Sequence, residues 1–374
     1  IPSVYNGFVL APQGESCCET NINDIDRSGA LNELDGEESE FWGLNWTNTW
    51  DFGDMSLKSI TGYRDMDVQS YRDTDNEVWN YFSVGSQFDV QQFSQEFLLS
   101  NQTGGDLDWL VGLYYLNEDG DHESRVTVAE GLYEALSSLP DGHPLKPLAV
   151  PLDLTLDYDR SQETTSYAAF FNTTWHMNER TRLNLAARYT YDEKDLDMFL
   201  VKRASQTPIA APGPTDPGSC SDVVPQGNGT KYSCDDDWDE FSPKIGIDYD
   251  FSEDVMGYAS ISGGFRSGVF NGRPLSTDQI SVADPETLFS YEIGVKSQLW
   301  DDRLQINAAV FYNDYEDQQF LVNRSSGSAE NALALVVDNA ADSTLWGGEV
   351  EFTVLPTQGL TITGGLSYID PEYD

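Results

Sequence analysis

The stretch FSYEIGVKSQLWDDRLQINAAVFYNDY, residues 289–315, constrains the chain more tightly than any other. Phe289, Tyr291, Ile293, Val295 and Leu299 stand at alternate positions, with Ser290, Glu292, Gly294, Lys296 and Gln298 between them. After a tight WDDR turn the pattern resumes. Leu304, Ile306, Ala308, Val310 and Tyr312 share one face, and Gln305, Asn307, Phe311 and Asn313 share the other. Successive side chains of a strand point to opposite faces, so a period of two predicts strands. One face seeks hydrocarbon and the other seeks water.

The same alternation recurs elsewhere. Leu183, Leu185, Ala187, Tyr189 and Tyr191 alternate with Asn184, Ala186, Arg188, Thr190 and Asp192, and Val350, Phe352 and Val354 alternate with Glu349, Glu351 and Thr353. Charge confined to one face fits a watery lumen, because charge facing lipid is costly near the bilayer midplane. Arg188, Glu292, Lys296 and Glu349 are therefore expected to face the lumen. Trp46, Trp50, Trp109, Trp175, Trp300 and Trp346 fall near strand ends, where aromatic rings form interfacial girdles; ordinary packing is the alternative. No segment approaches the roughly 18–20 apolar residues that a spanning helix needs.

The pattern predicts strands over 40–51, 55–72, 86–101, 106–125, 163–177, 180–200, 239–250, 254–269, 287–300, 302–322, 344–355 and 359–370. Connections within each pair are short, such as FGDM, HMNERT, DFSED and LPTQG. Connections between pairs are long: 73–85, 126–162, 201–238, 270–286 and 323–343. This alternation is that of an all-β, up-and-down transmembrane barrel with tight periplasmic turns and long extracellular loops. One short helix is expected within 128–140, inside a long loop. IPSVYNGFVL at the start has neither a basic opening nor a cleavage site. It is read as part of a strand, followed by a loop over 10–39. The chain is accordingly read as a piece of a longer protein, or as a mature form after processing.

Twenty Lys and Arg stand against 64 Asp and Glu, a formal net charge of −44. Such a chain repels nucleic acid, so no nucleic-acid partner is expected. Solvated loops account for the acidity most simply; a salty exterior or cation binding would also suit it. Cys220 and Cys234 flank a Gly- and Asp-containing loop and read as a loop-closing disulfide, with free thiols as the alternative. Cys17 and Cys18 can pair with each other or across loops. DIDRSGALNELD, residues 24–35, places Asp24, Asp26, Ser28 and Asp35 at positions 1, 3, 5 and 12 of a calcium loop, with Gly29 at the turn. The oxygen donors and the glycine suit Ca²⁺. Ser at position 5 and Asp at position 12 depart from the usual pattern, and an acidic surface loop is the alternative. The run CDDDWDE, residues 234–240, is a weaker cation candidate. His122, His143 and His176 have no metal-ligand spacing, and no nucleophile–base motif is present. No catalysis and no required cofactor are expected.

Four blocks resemble the barrel of TonB-dependent outer-membrane receptors: FSQEFLLSNQTGGDLDWLVGLYYLNED (93–119), SISGGFRSGVFNGRP (260–274), residues 286–319, and GGEVEFTVLPTQGLTITGGLSYIDPEYD (347–374). The block at 286–319 is the most specific, and the likeness runs through most strands from about residue 40 onward. The resemblance implies an outer-membrane location in a Gram-negative bacterium. It implies a 22-stranded barrel closed by an N-terminal plug, of which this chain is the central and C-terminal part, without the plug or the final strands. It further implies import of a scarce nutrient, a ferric siderophore first, or else cobalamin or an oligosaccharide. Import would be energised through the TonB–ExbB–ExbD complex, in contact with outer-membrane lipid and lipopolysaccharide. Tyr133, Trp238 and Phe270 are loop residues that could stack on a ligand. A structural or adhesive surface β-protein is the expectation of a different class, and the presence of a plug separates the two.

Overall fold

The computed structural model describes residues 2–14, 36–74, 81–101, 105–208, 220–272, 274, 279–323 and 335–373. The strands are β1 (Gly36–Asp51), β2 (Met55–Asp73), β3 (Phe82–Asn101), β4 (Leu107–Val128), β5 (Leu156–Asn178), β6 (Thr181–Lys202), β7 (Cys220–Gln226), β8 (Gly229–Ser252), β9 (Val255–Arg266), β10 (Val269–Phe270), β11 (Val282–Ala283), β12 (Glu286–Leu299), β13 (Leu304–Asn323), β14 (Leu335–Thr357) and β15 (Leu360–Tyr373). Twelve of them follow one another in chain order through a single antiparallel sheet; β7 pairs with β8, and β10 with β11 as a separate hairpin. Every strand predicted from alternation is present. Several begin earlier than predicted: β5 at Leu156, β8 at Gly229 and β14 at Leu335. There the ends of the long connections continue the ladder.

The tight turns are encoded locally. Trp300, Asp301 and Asp302 take φ values of 59°, 53° and 63° in succession, and Gly53 and Gly359 take 68° and 84°. Left-handed backbone costs an ordinary L-residue about 1–2 kcal/mol; glycine escapes this and Asp tolerates it better than most.

The register places the apolar face. Leu183, Ile247, Ala259, Ile293, Val310, Gly348 and Tyr368 lie side by side across β6, β8, β9 and β12 to β15. Ile293, Val310 and Tyr368 are 59%, 55% and 57% exposed, so no described part of the chain covers this face, and hydrocarbon is the solvent it suits. Aromatic rings mark the loop-side edge of the belt. Trp42 and Tyr63 lie 5.0 Å apart, Tyr115 and Tyr167 5.2 Å, and Trp346 and Tyr368 5.4 Å. Trp46 shares a register row with Tyr115. Trp50, Trp175 and Trp300 are exposed at the turn-side edge.

The strands outrun the belt. β6 has 22 residues, whereas about 9–11 tilted residues cross a bilayer. Above the aromatic edge the same outward face turns acidic. Asp119, Glu163, Asp195 and Asp235 form one row across β4, β5, β6 and β8. Glu40, Asp67, Asp89 and Asp121 form another across β1 to β4. Like charges directly opposite each other weaken a sheet. Burial first, and then Asp235, Glu163 and Asp197, raise the Asp195 pKa above the usual carboxylate value.

On the loop side two clusters close over the strand ends. Leu156, Tyr158, Leu196, Met198, Leu200, Tyr232, Trp238, Phe270 and Ile280 pack around the Cys220–Cys234 disulfide. Tyr5 and Leu10 pack on Leu132, Leu136, Ala149 and Leu152. Leu132–Ser137 is helical, within the predicted 128–140. The opening residues differ from expectation. Pro2–Tyr5 and Asn6–Leu10 are helical rather than a strand. A short segment of mixed apolar and polar residues such as this cannot be assigned by periodicity alone. Here Tyr5 and Leu10 both turn onto the Leu132–Ser137 helix, and Tyr5 also meets the Tyr81 ring at 5.2 Å.

Two outcomes follow from this architecture. A raised carboxyl pKa means the folded state binds the proton more readily than the unfolded one, so ionised Asp195 is a cost at neutral pH that is relieved on acidification. Asp195→Asn is therefore expected to stabilise at pH 7. Discounted for solvent screening, the gain is a few tenths of a kcal/mol up to about 1. In heat-shifted electrophoretic mobility the gain should shrink at high salt and as pH falls through the carboxylate range. Replacing Cys220 and Cys234 together by Ser opens a link with a sequence separation of 14. About 3 kcal/mol of local loop stability is expected to go, read as faster proteolysis between β6 and β8 with the melting of the long strands unchanged.

Candidate functional site

The face opposite the apolar belt is the candidate site. Arg188 lies opposite Ser242, Glu292 opposite Ser260 and Phe311, Lys296 opposite Met256 and Asn307, and Glu349 opposite Ala309. All four share the face away from Ile293 and Val310. Basic residues of the long strands collect there. Lys58, Arg64, Arg188, Lys194, Lys244 and Lys296 have inward parity, whereas Arg125 and Lys231 have outward parity. The outward belt has no water for a cation, and the inward face does.

Three arrangements organise this wall. Nearest the tight turns, Arg182 bonds Asp250 through Nη2 at 2.9 Å and lies 3.5 Å from Asp248, which also accepts from Asn184 at 2.9 Å. Thr174 donates to Asn184 at 2.8 Å, so one network ties β5, β6 and β8. In the middle, the Arg188 guanidinium sits 5.3 Å from the Tyr114 ring and 5.4 Å from the Phe170 ring, and Nε donates to Thr190 Oγ1 at 3.0 Å. Among the described residues no carboxylate pairs with Arg188. On β9 and β12, Tyr258 donates to Glu292 at 2.6 Å and carries Lys296 Nζ 5.4 Å from its ring. Cation–ring contacts of this kind contribute about 0.5–2 kcal/mol and hold long cationic side chains in place over a wet cavity.

The expected loop contacts are placed differently. Trp238 and Phe270 are 8% and 5% exposed, with ring centroids 6.0 Å apart; they pack on each other rather than presenting a face to a ligand. Tyr133 is half-buried against the cluster of Tyr5 and Leu132. Lys194 Nζ donates to the Gly268 carbonyl at 2.6 Å and lies 5.5 Å from the Trp238 ring. Burial pushes its ammonium pKa down, against the opposing pull of Asp192.

Asp24, Asp26, Ser28 and Asp35, together with Cys17 and Cys18, lie outside the described residues. The acidic run 234–240 is strand, so Asp235, Asp237 and Asp239 alternate with Asp236 and Glu240 on opposite faces. Among the described residues no three Asp, Glu, His or Cys side chains are grouped to hold a metal ion. His176 accepts or donates to Asp108 at 2.8 Å, while His122 stacks on Phe88 at 3.9 Å. No local pattern points to the Arg182 network, because Asn184 and Arg182 find their carboxylates 64 and 68 residues away. Its only sequence signal is that Arg182 has the parity of Arg188.

Comparison with known proteins agrees with this geometry. The ferric yersiniabactin uptake receptor FyuA of Yersinia pestis superposes with a TM-score of 0.65 at 14% identity, over 90% of this chain and 43% of that one. The siderophore receptor PiuA of Acinetobacter baumannii gives 0.62 at 16%, over 92% and 48%. The ferric-catecholate import receptor Fiu of E. coli K12, in its closed form, gives 0.57 at 13%, over 100% and 53%. The chain thus spans about half the length of these structures. The family described as TonB dependent receptor-like, beta-barrel, matches residues 2–374. With its lipid belt, charged inner wall and alternating turns and loops, the chain belongs to the TonB-dependent receptor β-barrel family, whose members are outer-membrane proteins of Gram-negative bacteria.

Proposed function

We propose that this chain lines the passage of a receptor that binds a ferric siderophore outside the cell and imports it across the outer membrane. The observation that carries this reading is the partition of the sheet. Most basic side chains of the long strands share the inner wall, where they stand among carboxylates such as Glu118, Asp192, Asp236, Glu292 and Glu349, while the outward face is apolar and then acidic. A charged, hydrated chelate finds no place on the apolar belt, and along the inner wall it meets water and polar groups, among them the Arg188 guanidinium with no carboxylate paired to it among the described residues. The names of FyuA, PiuA and Fiu support iron chelates as the cargo class.

In this reading the loops capture the ligand, and a plug in the longer protein rearranges under energy from TonB–ExbB–ExbD. The inner wall then passes the cargo with no bond chemistry. Among the described residues β1 and β15 each pair on one side only, and hydrocarbon does not leave strand edges unpaired. Further strands of the longer protein would complete the wall, and the aromatic edge would meet lipid and lipopolysaccharide.

Uptake of radiolabelled iron by cells carrying the full-length protein in place of their own receptors tests the proposal. Accumulation from at least one ferric siderophore, lost on deletion of TonB, is expected. Uptake of cobalamin or an oligosaccharide alone would replace the cargo assignment. Ligand adherence without any TonB-dependent entry would favour a surface adhesin. Arg188→Met keeps the apolar stem between Tyr114 and Phe170 and removes the charge. Uptake is expected to fall about tenfold, the worth of one charge-assisted contact, with protein level and heat-shifted mobility unchanged.

A further inference from the structure

In the connection between β9 and β12, the described residues 267–272, 274 and 279–283 do not project into solvent. Trp238 has the same inward parity as Lys194 and Arg188, and this connection packs on that inner face. Phe270, Ile280 and Gln279 are 5%, 1% and 1% exposed. Lys194 of β6 holds the Gly268 carbonyl, and Tyr158 of β5 donates to the Pro274 carbonyl at 3.3 Å. The segment therefore reaches back from β9 across β8 and β6 to β5, over the inner wall.

Its base is clipped as firmly as its body. The Gln319 side-chain amide donates to the Ser267 carbonyl and to the Asp284 carbonyl, each at 2.9 Å. One side chain thus ties both arms, using both of its N–H groups. The Gln319 backbone N–H donates to Glu286 at 2.8 Å. Asn339 accepts from the Asp284 N–H at 2.8 Å and donates back to the Asp284 carbonyl at 2.9 Å. Ser281 Oγ donates to the Val337 carbonyl at 3.2 Å. A connection built to swing would present few buried apolar contacts and solvent-facing hydrogen bonds. This one has buried apolar contacts on both arms, at Phe270 and at Ile280 and Ala283, and half-buried bonds to Ser267, Glu286 and Ser281, while the bonds to Asp284 are exposed but number three.

We propose that the β10–β11 hairpin is a fixed inner wall that narrows the outer mouth of the passage, with Gln319 as its positioning residue, so that cargo travels past it rather than displacing it. What travels past rests on the reading of the chain as an import receptor; the immobility does not.

Hydrogen exchange of the full-length protein in lipid nanodiscs tests the immobility without any ligand, so an error in the cargo leaves the result intact. Amides of residues 268–271 and 281–284 are expected to exchange as slowly as those of the neighbouring strand ends. Gln319→Ala is expected to speed both arms together by about tenfold, the loss of one half-buried and one exposed hydrogen bond, with β2 to β4 unchanged. Asn339→Ala provides a second break at the base should the first variant fail to assemble. Exchange at the rate of an open loop in the unaltered protein would overturn the proposal, as would arms that stay protected without Gln319 and without Asn339. Slow exchange without ferric citrate but fast exchange with it, as a probe chelate, would show a moving gate and overturn it too.

Discussion

Everything in this structure follows from the hydrogen-bonding demand of the backbone in hydrocarbon. An unpaired amide or carbonyl in a bilayer core costs several kcal/mol, so a segment that crosses as a strand must pair along its whole length with neighbours on both sides. Among the described residues, the ladder meets that demand for every long strand between β1 and β15, which are its two edges. Antiparallel order needs only short turns at one end, which is why Trp300–Asp302 and Gly359 can afford left-handed backbone there.

With pairing fixed, the two faces are free to answer to different solvents. The row from Leu183 to Tyr368 answers to lipid, while Arg188, Glu292, Lys296 and Glu349 lie on the opposite face. The same outward parity that carries Tyr115 in the belt carries Asp119 beyond it. Hydrocarbon gives way to water along a single strand, and the residues change character at the aromatic edge. The large negative charge therefore has a place: much of it lies on strand extensions above the bilayer rather than in loops alone. Rows such as Asp119–Glu163–Asp195–Asp235 weaken the sheet locally, a cost the long ladders on either side tolerate.

The loop side obeys ordinary soluble-protein physics. Once above the lipid, chains can bury apolar side chains inward, and two such cores form. One of them draws the β10–β11 hairpin onto the inner wall. The inner face of the molecule is thus shaped by compact packing as much as by the long strands beneath it. Trp238 and Phe270 show the consequence: the sequence predicts both as loop residues, yet Trp238 stands on β8 and Phe270 on the hairpin, and the two wedge between wall and hairpin rather than forming a platform for a ligand.

The sequence by itself determined the strands, their faces and the short-long rhythm of their connections, because a period of two is a local property that needs no partner to be read. It also determined the sites of the tight turns, and it paired Cys220 with Cys234 as one of two open readings. Only the tertiary structure decided what depends on distant partners. The helical opening residues became legible through their contact with Leu132 and Leu136. Arg182 found Asp248 and Asp250 two strands of sequence away, and Gln319 found both arms of a hairpin on the far side of β12. Register aligns residues that the chain separates by dozens of positions, and no local pattern records which carbonyl a given amide will meet.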